Sequence, residues 1–208
     1  MSDLVGSTTA NYSLLMEDIK QRIAGVRRFT RGEVSLGRED FDAEAICIQV
    51  RKILESIAFG SLLAHREAYE AAHKDIDKAW RAKAILDRIE AVHPKFYPEP
   101  MTPHLIEEGH WNLEPLKEGF LTRSDFVTLY DKCGDILHMW NPFRPGERKV
   151  DFGRSIDEWC DLIQNLLRYH VIWMRTDVEP GDGWLIDMES AEDGKVRVLK
   201  FEPEPVAE

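Results

Sequence analysis

The chain has 208 residues, 43% of them hydrophobic and 31% charged, with a formal net charge of −11. This describes a folded globular protein, and the acidity excludes broad, sequence-independent binding to nucleic acid or anionic membranes while leaving room for a local basic site. No apolar run reaches the length of about 18 residues that marks a membrane span, and the opening MSDLVGSTTANYS has no basic and apolar regions of a secretory signal. Three scattered cysteines, Cys47, Cys133 and Cys160, fit reduced, buried thiols in a cytoplasm better than a disulfide framework or a zinc site.

From Thr9, the residues Leu14, Leu15, Ile19, Ile23 and Val26 mark a first amphipathic helix ending near Arg28, with Arg27 and Arg28 suiting the negative end of its dipole. The stretch holding Lys20, Arg22, Arg27, Arg28, Arg31 and Arg38 is comparatively basic, and reads as a solvated surface paired with Glu17, Asp18, Glu33 and Glu39. Residues 41–72 form the organising element. They contain no proline and one glycine, Gly60, and their two adjacent apolar stripes describe a helix packed on several sides at the centre of a bundle. One stripe runs through Ile46, Val50, Ile53 and Ile57, the other through Cys47, Leu54, Ala58 and Leu62. A third helix is expected over 75–92, with Ile76, Ala79, Trp80, the stem of Lys83, Leu86 and Ile89 on its apolar face, and Pro94 ends it.

Five prolines break residues 93–123, yet the aromatic content is high, so this segment is expected to drape over the bundle with a short helix near 103–108. Its His93, His104 and His110 lack the spacing that places two imidazoles on one helical face, so no metal site is expected. A fourth helix opens at Thr122 or Ser124 with a capping-box pattern, and a fifth opens at Ser155-Ile156-Asp157-Glu158. The period then changes: VIWMRT, WLIDMES and KVRVLKF read as strands, the last two joined by a turn at 191–194. The expected fold is mainly α, an antiparallel bundle of about five helices over 1–170, with a small antiparallel β-hairpin or three-stranded meander over 171–208 packed on it.

Two constellations could carry chemistry. Arg51 and Glu55 sit beside the buried face of the central helix, either as an ion pair that fixes the register of the bundle or as a clamp for a carboxylate or phosphate. On the fourth helix Asp131, Asp135 and His138 share a face, where an acid beside a histidine can orient it as a general base or simply form a hydrogen-bonded surface cluster.

The segments VRKILESIAF and YDKCGDILHMWNP resemble those of HEPN-superfamily helical bundles, with a histidine near the end of a late helix. That resemblance implies a homodimeric, cytoplasmic binding or regulatory module in bacterial stress, phage defence or toxin–antitoxin function, with RNA, a nucleotide or a protein as partner and no cofactor. Many such proteins are metal-independent RNases with an R-x4–6-H motif. Here His138 matches the histidine, while Lys132 stands where an arginine is expected, keeping the charge but losing the two-pronged phosphate grip. The alternatives are therefore an atypical RNase using His138 with Lys132 or a nearby arginine, and a structural protein-interaction domain. Ligand contacts would fall to Arg51, Glu55, Asp135, Asn141, Arg144 and Arg148.

Overall fold

The computed structural model describes residues 2–72, 81–107, 110–139, 143, 150–174 and 181–202. Among these described residues, six helices and five strands follow in the order α1 (Ser2–Thr30), α2 (Glu39–Ala64), α3 (Arg66–Ala72), α4 (Ala82–Val92), β1 (Glu99–Glu107), β2 (His110–Pro115), α5 (Arg123–Leu137), α6 (Ile156–Leu167), β3 (Tyr169–Trp173), β4 (Gly183–Asp187) and β5 (Arg197–Phe201). The fold is mainly α with a smaller antiparallel β part, as the periodicity requires. Among the described residues, no helix is long and apolar enough to cross a membrane.

The double apolar stripe of α2 explains its central place. It packs on α1, α4 and α5, and Cys47, Val50, Ile53, Leu54, Ile57, Ala58 and Leu62 are all buried. Each large aliphatic side chain so buried contributes roughly 1.5–3 kcal/mol. Gly60 lets α1 approach: a Cβ there would lie 3.1 Å from the ring of Tyr12 and 3.4 Å from Met16. All three cysteines are buried and outside any disulfide. Burial pushes the Cys160 thiol up to about 12. Both expected capping boxes are present: Thr122 with Asp125 opens α5, and Ser155 with Glu158 opens α6.

The central helix does not run unbroken to residue 72. At His65 the backbone leaves the helical region (φ −103°, ψ 25°) and α3 restarts one residue later. The His65 Nδ1 comes within 2.8 Å of the Ser61 carbonyl, the same oxygen that accepts its own backbone N–H at 3.1 Å. Its Nε2 reaches the Trp173 carbonyl on β3 at 3.0 Å. A side chain competing locally for a helical carbonyl while reaching another element is a physical cause for such a break. In the third helix only Ala82 onwards is described, so Ile76, Ala79 and Trp80 lie outside the described residues. Its inward face is made by Ala82, Ile85, Leu86 and Ile89, while Lys83 is exposed and pairs with Asp131 at 3.3 Å instead of lying along the core.

The larger correction concerns residues 93–123. In place of a draped loop with a short helix, β1 and β2 form an antiparallel hairpin with Met101 opposite Pro115 and Pro103 opposite Leu113. Through Glu99–Val171 and Pro100–His170, β1 joins β3, giving a five-stranded antiparallel sheet in the order β2-β1-β3-β4-β5. Pro103 is tolerated because β1 pairs with β3 only at Glu99 and Pro100 and beyond them has an open edge where a missing N–H costs nothing. The three strands expected at the C-terminal end are β3, β4 and β5, with Gly194 at φ +69° in the turn before β5. The sheet therefore draws on both sides of residue 170.

Three buried histidines fasten this sheet to the helices: His65, His93 and His170. His170 on β3 has Nδ1 at 2.7 Å from the Leu167 carbonyl and Nε2 at 2.8 Å from the Tyr12 hydroxyl of α1. The carbonyl can only accept, so Nδ1 carries the proton and Nε2 accepts from Tyr12. The neutral ring is fully satisfied, and burial lowers its pKa from 6.5 to about 4. Because the folded value lies below the unfolded one, the stabilisation is complete above pH 6.5 and is lost as pH falls toward 4. At about 1.4 kcal/mol per unit, His170 alone accounts for about 3 kcal/mol across that window. His65 and His93 are also lowered, chiefly by burial, and act in the same direction. Urea unfolding between about pH 7 and pH 5 should show falling midpoints, and a His170→Phe variant should show a flatter pH profile. Identical profiles would contradict the assignment.

Candidate functional site

Two regions bear on function: the seam between α2 and α5, where the sequence places its candidate residues, and a cleft between α1 and α6. In the seam, Arg51 reaches across from α2 to α5. Its Nη2 donates to the Tyr130 hydroxyl at 2.6 Å and its Nη1 to the Tyr130 carbonyl at 3.3 Å. The guanidinium carbon also stacks 3.9 Å from the Tyr130 ring centroid. The Tyr130 hydroxyl in turn donates to Glu55 at 3.3 Å, and Arg51 and Glu55 themselves are 3.9 Å apart. Burial is the main cause of a raised Tyr130 pKa, so the phenol stays protonated as this donor. Gly134 makes the approach feasible, since a Cβ there would lie 3.0 Å from Arg51 Nη1. The arrangement is an interhelical latch that ties α2 to α5, with the arginine's donors directed at protein acceptors.

The remaining sequence candidates do not converge on this latch. Lys132 donates to the Asp151 carbonyl, next to the loop that leads into α6. His138 is exposed and forms the C-cap of α5, its backbone N–H reaching Gly134 O at 3.1 Å with extended dihedrals beyond the helix. Asp135 is exposed, and Asp131 turns to Lys83. Among the described residues, no hydrogen bond or ion pair joins the His138 side chain to Arg51, Glu55, Lys132 or Asp135. Asn141, Arg144 and Arg148 lie outside the described residues.

The second region was not singled out by spacing. A cleft of about 460 Å³ is lined by Lys20, Ile23, Ala24 and Arg27 of α1, by Gln164, Asn165, Leu167 and Arg168 at the end of α6, and by Met188 and Glu189 after β4. The four α1 residues fall at i, i+3, i+4 and i+7 and so share one face. Ile23, Leu167 and Met188 form a buried apolar floor, and Ala24 keeps the wall short. Arg27 bridges α1 to α6, with Asp161 at 2.6 Å, Asp157 at 3.4 Å and the Gln164 side-chain oxygen at 2.5 Å. The bond to Asp161 leads the causes that raise its pKa. Lys20 donates to the Gly194 carbonyl at 2.6 Å and so holds the β4–β5 turn against α1. The basic stretch of the first helix thus has partners 130 to 174 residues away, a relation carried by no local motif.

If the α2–α5 seam is structural, its residues should matter for stability and His138 should not. Arg51→Ala is expected to cost about 1.5–3 kcal/mol and Tyr130→Phe about 1 kcal/mol, as for loss of charged and neutral hydrogen bonds. His138→Ala should stay within about 0.5 kcal/mol of wild type. Urea midpoints decide, and a destabilised His138→Ala beside a neutral Arg51→Ala would reverse the assignment.

No protein-family model matches the chain, and comparison with curated proteins and with solved structures finds no match.

Proposed function

We propose that the chain is a HEPN-like binding or regulatory module, cytoplasmic and homodimeric, whose ligand seats in the cleft between α1 and α6. The cleft carries this reading. Its volume of about 460 Å³ falls within the range of roughly 300–1,000 Å³ typical of small-molecule sites, and an apolar floor ringed by a few polar groups is their usual composition. A setting in stress response, phage defence or toxin–antitoxin function rests on the sequence resemblance alone. In support of a dimer, Phe41 and Ile48 lie seven residues apart on one face of α2 and are exposed, as is Leu36 just before it. Apolar surface of this kind is what a second copy covers.

The alternative, a metal-independent RNase, has less support. Of the cations named for a phosphate, the two described are engaged, Arg51 by Tyr130 and Lys132 by the Asp151 carbonyl, and His138 ends the helix that carries the acids Asp131 and Asp135. Such acids repel a phosphate backbone.

Two measurements test the reading. Labelled RNA incubated with the protein in EDTA is expected to remain intact. Cleavage that disappears in His138→Ala would instead establish the nuclease. In a thermal-shift panel of amino acids, carboxylates, phosphates and nucleotides, at least one member should stabilise the wild type, by about 2.7 kcal/mol at a hundred times its Kd. Ala24→Trp, which fills the cleft, should remove that gain. A panel that moves nothing, or a gain that survives Ala24→Trp, counts against the cleft. Light scattering is expected to give twice the chain mass of 24.1 kDa, and the mass of a single chain would overturn the dimer.

A further inference from the structure

We propose that the α1–α6 cleft takes a small zwitterion with an apolar body, an amino-acid-like ligand whose carboxylate meets Arg168 and whose ammonium meets Glu189. This rests on the reading of the cleft as the binding site and adds the class of ligand.

Most polar groups of the wall are already engaged. Lys20 donates to the Gly194 carbonyl and pairs with Glu17 at 3.3 Å. Arg27 is held by Asp157, Asp161 and Gln164. The Asn165 amide donates to the Gly119 carbonyl at 2.7 Å. Two charged side chains are left over. Among the described residues, neither the Arg168 guanidinium nor the Glu189 carboxylate makes a hydrogen bond or an ion pair. Yet both stand at the same end of the β3–β4 ladder. Tyr169 pairs with Asp187, and one step further out the Met188 N–H donates to the Arg168 carbonyl at 3.0 Å. Glu189 follows directly. Opposite charges brought to one rim without closing on each other leave a guanidinium fork suited to a carboxylate and a carboxylate suited to an ammonium. The same cleft has the floor of Ile23, Leu167 and Met188, at most 7% exposed, which an aliphatic or aromatic side chain would cover.

The charge balance selects a zwitterion over a polyanion. Counting the wall and the groups paired to it, Lys20, Arg27 and Arg168 face four acids, Glu17, Asp157, Asp161 and Glu189. A triphosphate or an RNA backbone would meet a surface without net positive charge, on a chain of net charge −11. A ligand with one charge of each sign and no net charge meets no such barrier.

The test is titration of the full chain, followed by amide resonances of α1, α6 and residues 188–189 and by calorimetry. The probes are L-leucine and L-phenylalanine, with 4-methyl-2-oxopentanoate (no ammonium), isopentylamine (no carboxylate) and AMP alongside. The amino acids are expected to shift the cleft resonances, and each single-charge analogue to bind about tenfold or more weakly, as loss of one charged hydrogen bond predicts. Arg168→Gln should weaken leucine binding by a similar factor, and Glu189→Gln should erase the preference for leucine over its oxo acid. Both positions are exposed, and retained resonance dispersion confirms that the variants fold. Equal binding of leucine and its analogues, or binding untouched in both variants, overturns the zwitterion. AMP moving the cleft resonances while the amino acids do not would also overturn it and leave the cleft as the binding site. No response to any probe would overturn both.

Discussion

The close approach of α1 to α2 at Gly60 is the constraint on which the rest of the structure depends. With no side chain at that position, the Tyr12 ring settles against the α2 backbone, and its hydroxyl is aimed at His170 on β3. His170 stands opposite Pro100 of β1 on one side and Ile186 of β4 on the other. The edge of Trp184 also meets the Tyr12 ring, 5.7 Å between centroids. One small residue on the central helix thus sets where the first helix lies, and the first helix sets where the sheet docks. The cleft inherits its geometry from the same contact, because its α1 wall begins two turns beyond Tyr12 and faces the strand end that follows His170's partner β4.

The junction between helices and sheet is polar by necessity. Strand ends and helix ends bring unpaired carbonyls into a buried region, and each needs a donor. His65 and His93 occupy the C-caps of α2 and α4 and reach the consecutive carbonyls of Trp173 and Met174. Their rings lie 4.3 Å apart. A neutral imidazole has a single N–H, so His65, with carbonyls at both nitrogens, is one proton short of satisfying both. Burial and the neighbouring His93 oppose supplying that proton, and the lowered pKa shows which influence prevails. This joint holds because its histidines stay neutral.

What the sequence made legible was whatever repeats locally. The double stripe of α2, the two capping boxes and the alternating C-terminal strands each depend on neighbours within a turn or a pleat. The β1–β2 hairpin was hidden because its prolines argue against a strand unless its open edge is known, and that edge exists only because β3 is short. The break at His65 was hidden because its cause, the Trp173 carbonyl, lies 108 residues away. At the α2–α5 seam, Arg51 and Glu55 were visible as an oddity on an apolar face, but Tyr130, which receives the arginine, lies 79 residues away on another helix. His170 and Arg168 carried no signal at all. The basic run over Lys20 to Arg38 was a partial clue to the cleft, since Lys20 and Arg27 belong to it, though most of its charges close on nearby acids.

Arg51 and Arg168 show why residue type alone does not assign a role. Both are arginines beside apolar surface in an acidic chain. Arg51 has a hydroxyl, a carbonyl and an aromatic face around its guanidinium, so a ligand would have to displace contacts that hold two helices together. Arg168 makes no side-chain hydrogen bond or ion pair among the described residues and stands at the rim of a ligand-sized hollow. A carboxylate reaching Arg168 gains its bonds without breaking any in the protein, and the same carboxylate at Arg51 would have to pay for the latch it opens. Recognition is favoured where donors are left over after folding, and the Arg168 guanidinium at the end of α6 is such a donor beside a hollow.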